Sequence, residues 1–263
     1  MTSIIIALIA LVAGLAAAGA VLFALDRRRS GFARRQEGAS RFAIPAAVFV
    51  IAVAVVGGTL YLFTGTGGGA PANRVLDAIQ RHHPEAGAEI EAIKRETNPV
   101  AAQQRSADLA QRYMPRHIPT TSDAAVLRFT NELTKVFESL AQKDPETCKA
   151  LTTSGKASAS FDPQNMRAAL DAMADVIDDS VNAPQPPPQQ QRAQQLLSGV
   201  TERIYATPNP SLVAPQMLAQ AATLPAAQLC NTMIAYYREI LRLPPQDAST
   251  VLRMLMRGPS PTR

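Results

Sequence analysis

The chain contains no tryptophan, and aromatic residues make up only 5% of its 263 positions. A core must then be built from Leu, Ile, Val, Met and Ala, which favours packed helices over a sheet sandwich. Cysteine is nearly absent too: Cys148 and Cys230 are the only two, and no C-x-x-C spacing creates a redox motif. No G-x-S-x-G, H-E-x-x-H or EF-hand loop occurs. Ser154-Gly155-Lys156 resembles the end of a phosphate-binding loop, but Ala150 and Ala157 stand where that motif needs Gly and Ser or Thr. Gly65, Gly67 and Ala70 approach a dinucleotide fingerprint, yet the preceding segment is not a strand of a βαβ unit. With no alternating run that demands a strand, the pattern excludes most familiar nucleotide-dependent and hydrolytic sites.

Charge is also missing from two places. Residues 2–25 and 42–63 carry none, although 47% of the whole chain is hydrophobic. A helix of about 20 apolar residues spans the ~30 Å hydrocarbon core of a bilayer. Ser3 to Leu25 and Phe42 to Phe63 meet that requirement. Tyr61 near the end of the second run suits a membrane interface. The reading is two N-terminal transmembrane helices, with the lipid bilayer as the first partner.

Between these runs lie Arg27, Arg28, Arg29, Arg34, Arg35 and Arg41 against Asp26 and Glu37, a local charge of +4 out of a total of +5. Short loops rich in arginine stay in the cytoplasm. That places the loop 26–41 inside and the C-terminal domain outside, periplasmic in a Gram-negative cell and extracytoplasmic in general. The expected location is the inner (plasma) membrane, crossed twice. Ala18-Gly19-Ala20 has the small residues of a signal-peptide cleavage site, but no basic n-region precedes it and three arginines follow. The rest of the chain balances 20 basic against 19 acidic residues. The high pI therefore belongs to the loop and gives no support for nucleic-acid binding.

Residues 1–63 form the transmembrane hairpin in this reading, and 64–72 a Gly-rich linker. Residues 73–183 form the first part of a helical domain, 184–191 a Pro/Gln-rich break, 192–258 the second part and 259–263 a tail. The fold class is all-α, with about eight to ten helices beyond the membrane. Asn73 can start a helix ending near His83, Pro84 one to about Thr97, and Pro99 one to about Met114. Val126, Phe129, Leu133, Val136, Phe137 and Leu140 share one face of a helix from Ser122 to Gln142, with Ser122 or Asp123 as its cap. A short helix after Asp144-Pro145 carries Cys148, and Leu151 to Ser160 reads as a loop. Asp162-Pro163 starts a helix bearing Met166, Leu170, Met173, Val176, Ile177 and Val181. Further helices are expected at 191–205, 211–221, 225–242 and 246–257.

Both cysteines fall in the segment expected outside the cytoplasm, where an even pair points to a disulfide. Joining Cys148 to Cys230 is the predicted bond. His82, His83 and His117 are the only histidines. Adjacent His82 and His83 lack the i, i+4 spacing of a metal pair. With Glu85 they form at most a weak surface site, so solvated histidines at helix ends are expected, with no cofactor, no metal and no catalytic residue assigned.

These features point to a non-enzymatic, membrane-anchored helical domain that binds an envelope protein or supports an envelope complex. A second reading is an envelope enzyme whose site is dispersed along the chain. A third is an assembly factor in the general style of the cytochrome c maturation helper with two spans and a helical periplasmic domain; the short loop and the lack of repeats argue against it.

Overall fold

The computed structural model describes residues 71–154 and 166–257. The two expected spans, the arginine loop and most of the linker lie outside the described residues. Among the described residues no helix is long and apolar enough to cross a membrane.

The described residues form nine α-helices and no strand. They are α1 Pro71–His82, α2 Gly87–Arg95, α3 Pro99–His117, α4 Asp123–Lys143 and α5 Pro145–Ser154. After the undescribed residues come α6 Arg167–Asn182, α7 Gln190–Ile204, α8 Ala226–Leu241 and α9 Pro245–Leu255. Three 3-10 segments, Pro84–Ala86, Ile118–Thr120 and Pro215–Thr223, fill connections. The all-α expectation therefore holds for this part of the chain.

Helix α4 forms the centre because its sequence supplies both ends and one long apolar face. Ser122 adopts an extended conformation and accepts the Ala125 N–H at 3.3 Å, satisfying a donor the helix cannot pair itself. Asp123 in the first turn and Lys143 in the last complement the helix dipole. Val126, Phe129, Leu133, Val136, Phe137 and Leu140 are all buried. Helices α5, α6, α8 and α9 all pack against α4, while α1 lies on α6 and α7 bridges α8 and α9. Asp144 ends α4 and opens α5, accepting from the Thr147 N–H at 3.0 Å and the Thr147 hydroxyl at 2.6 Å.

Buried threonines are satisfied within their own helices. Thr130 donates to the Val126 carbonyl at 2.8 Å, Thr134 to Thr130 at 2.7 Å and Thr152 to Cys148 at 2.8 Å. The back-bond removes the cost of burying the hydroxyl and lets polar residues face the core. Tyr237 is different. Its ring stacks on Phe137 with centroids 6.1 Å apart, but its hydroxyl is buried with no hydrogen-bond partner. Burial pushes this phenol well above its ordinary pKa. Tyr237→Phe is expected to leave stability unchanged or raise it by about 1 kcal/mol, since an unpaired buried hydroxyl carries a desolvation penalty. Urea unfolding of the two proteins checks it; a loss of stability would show that the hydroxyl has a partner.

The Pro/Gln segment connects α6 to α7 without helix or strand and is hydrogen-bonded to the domain. The Gln185 N–H donates to the Thr120 carbonyl at 2.7 Å. Arg253, on α9, reaches the Thr121 carbonyl at 3.3 Å, the Pro186 carbonyl at 3.4 Å and Asp123 at 3.1 Å. Ser249 adds a 2.6 Å hydrogen bond to Asp123. One buried cluster runs from Val75 to Met256, so helices before and after the segment share a core.

Three local expectations are corrected. Leu151–Ser154 continues α5 rather than opening a loop, because Leu151 and Thr152 face the core. Helix α3 passes Met114 and includes Pro115, which lies so close to the end that little of the hydrogen-bond ladder is lost. The segment expected to be helical at 211–221 instead forms 3-10 turns at Pro215–Thr223, with a non-helical kink at Gln220.

Candidate functional site

The three histidines come together at one corner of the domain. His82 is the last residue of α1, and His83 follows it in a non-helical conformation that opens the Pro84–Ala86 turn. This break sends two adjacent imidazoles to different partners. His117 ends α3, where the buried Ile118 and Pro119 of the next turn carry the chain inward. Helix α6 supplies Asp178 and Ser180 opposite them.

His82 Nε2 lies 2.9 Å from Asp178 Oδ1, and Arg81 pairs with the same carboxylate at 2.7 Å. Burial raises the Asp178 pKa, but the Arg81 and His82 hydrogen bonds outweigh it and hold the carboxyl below its usual range. His83 Nδ1 lies 3.1 Å from Glu85 Oε1, and His83 Nε2 lies 2.9 Å from His117 Nε2. His117 Nδ1 in turn lies 2.7 Å from Ser180 Oγ. Ser180 donates its own proton to the Ile177 carbonyl at 2.7 Å, so it must accept from His117. The Glu85 carboxyl is lowered from its ordinary value, first by its own backbone N–H and then by His83. Tyr113 packs on His83 with ring centroids 4.4 Å apart, and the Arg116 guanidinium sits 5.4 Å from the Tyr113 centroid.

His117 is 5% exposed, and its pKa is lowered from 6.5 to about 4. Burial is the largest cause; His83, His82 and Arg116 add to it, while Asp178 opposes. The expectation of solvated helix-end histidines is thus corrected: His117 is buried, and the His82 and His83 side chains are each 17% exposed. Among the described residues no group of three or more His, Cys, Asp or Glu is arranged to hold a metal.

The second predicted feature is present. Cys148 of α5 and Cys230 of α8 form a disulfide with Cα atoms 6.1 Å apart. Both residues are fully buried. Lys149 beside it donates to the Leu224 carbonyl at 2.7 Å, a further link across the same junction. The arginines assigned to topology, Arg27, Arg28, Arg29, Arg34, Arg35 and Arg41, lie outside the described residues.

Other charges tie helices to each other. Asp175 of α6 receives both Arg74 of α1, at 2.7 Å, and Arg128 of α4. Arg238 of α8 meets Glu138 of α4 at 2.7 Å, and Arg203 of α7 meets Glu239 of α8 at 2.5 Å. In each pair the arginine is about half exposed, so the pair is worth little by itself.

The described residues define a disulfide-linked, all-α domain with a partly buried histidine cluster. Comparison with protein-family models, with curated proteins and with solved structures finds no match. A functional reading therefore rests on this chain's own residues.

Proposed function

We propose that this chain is a membrane-anchored interaction or scaffolding protein whose helical domain works outside the cytoplasm, in an envelope complex. The observation that carries the location is the buried Cys148–Cys230 disulfide, since such bonds form and persist in oxidising compartments. The sequence agrees independently. Two uncharged runs long enough to span a bilayer flank a loop with six arginines, which favours a cytoplasmic turn and an exported C-terminal domain.

The scaffolding role is supported by how the domain uses its polar side chains. Ion pairs join α1, α4, α6, α7, α8 and α9 to one another, giving a domain braced at many points. A braced helical body beside a bilayer suits the presentation of a fixed surface to another envelope protein. Affinity purification of the full chain in mild detergent, after cross-linking in cells, tests this. Reproducible recovery of one or more envelope proteins in defined proportion is expected. Recovery of the chain alone as a monomer would contradict the reading.

A further inference from the structure

We propose that His83 and His117 form a binding site for a divalent d-block cation, with Zn²⁺ as the first choice. The observation is the orientation of four ring nitrogens. Each imidazole has its Nδ1 against an acceptor, Glu85 Oε1 for His83 and Ser180 Oγ for His117. Each then presents Nε2 to the same point, and the two Nε2 atoms lie 2.9 Å apart. Metal-binding histidines have this arrangement: one nitrogen donates to a carboxylate or another oxygen, which fixes the tautomer and aims the other nitrogen's lone pair at the ion.

An ion can take the place of the proton that the two facing Nε2 atoms otherwise share. With both Nδ1 atoms protonated, two bare Nε2 lone pairs would face each other, and a proton between them is needed to hold them together. A cation that accepts both lone pairs replaces this proton without disturbing either outer hydrogen bond. Zinc–imidazole bonds of about 2.0–2.1 Å at a tetrahedral angle place two nitrogens about 3.3 Å apart, so the pair has only to open by roughly 0.4 Å. Ser180 is fixed by its bond to the Ile177 carbonyl and keeps His117 in register. Tyr113 against the His83 ring limits its rotation.

Two protein nitrogens leave the remaining coordination positions to water or to a group from outside the chain. The His83 side chain is 17% exposed, so this corner lies at the edge of the domain. Glu85 and Asp178 favour a cation at this corner, whereas Arg81 and Arg116 oppose it. Imidazole ligands suit Zn²⁺, Cu²⁺ and Ni²⁺ and exclude Mg²⁺ and Ca²⁺, which take oxygen. His82 stands apart, since its Nε2 is turned to Asp178. The inference is independent of the scaffolding role and survives if that role fails.

The test uses the full chain in detergent, stripped with chelator and titrated with Zn²⁺ alone by calorimetry. One ion per chain is expected. His83→Ala and His117→Ala should each weaken binding by at least about tenfold, and Glu85→Gln or Ser180→Ala by a smaller factor, because loss of an orienting partner also lowers affinity. His82→Ala should leave affinity unchanged. His83→Ala is the decisive variant, since that ring is partly exposed, and circular dichroism checks that it folds. In a parallel sample Cu²⁺ should show electron-spin coupling to two imidazole nitrogens. Zn²⁺ binding that His83→Ala leaves intact would overturn the site, as would an equal loss in His82→Ala.

Discussion

Removing the Cys148–Cys230 bond is expected to cost this domain about 4–5 kcal/mol by the loop-closure argument, for a separation of 82 residues. For a domain of this size that corresponds to a fall in Tm of roughly 10–15 °C. The physical reason lies mostly in the unfolded chain, which gains freedom when the closed loop is opened. The native state loses less, because α5 keeps Leu151 in the core and α8 keeps Leu229, Met233 and Tyr236 there. Cys148→Ala/Cys230→Ala is the cleaner variant, because both sulfurs are buried and a serine hydroxyl would need a partner. Thermal unfolding followed by circular dichroism measures the difference. An unchanged Tm, together with two freely labelled thiols in the unreduced and unfolded wild type, would show that the bond does not form.

Acid should weaken the domain through His117 with the next largest effect. Its pKa is about 4 in the folded protein against 6.5 for an ordinary histidine, and burial is the main cause. The folded state therefore resists a proton that the unfolded chain accepts. Stability from this group is complete above pH 6.5, declines as pH falls toward about 4, and levels off below that. Between pH 8 and pH 5 the loss is about 2 kcal/mol, and the full effect approaches about 3 kcal/mol. Carboxylates titrate in part of this range as well. Asp178 and Glu85 have lowered values, so their contributions are lost at still lower pH. The informative quantity is the difference between wild type and His117→Gln in urea unfolding at several pH values, with chelator present throughout. The variant should be less stable at neutral pH and show a flatter slope from pH 6.5 to 5. Parallel curves would mean that His117 titrates alike in the folded and unfolded chain.

The sequence and the structure agree most closely where the signal is local. Helix α4 was legible because six apolar residues recur at three- and four-residue spacing and Ser122 sits at its start. The proline and aspartate breaks marked α5 and α9 for the same reason. The cysteine pairing was legible because only one pairing is available. Tertiary packing overrides local pattern at Leu151 and Thr152, which enter the core despite small and polar neighbours. The histidine corner was not legible. His83 and His117 are 34 residues apart, and His117 and Ser180 are 63 apart. No spacing rule joins three helices across such distances, and a short break after His82 decides which way His83 turns. The same holds for Asp175, whose two arginine partners lie on α1 and α4.

The proposed two-span topology, with the arginine loop inside and the disulfide-bonded domain outside, is the central claim. A reporter that is active only outside the cytoplasm, fused after residue 70 and separately within loop 26–41, measures it directly. Activity is expected from the first fusion and none from the second. Activity of a cytoplasm-only reporter fused after residue 70 would contradict it.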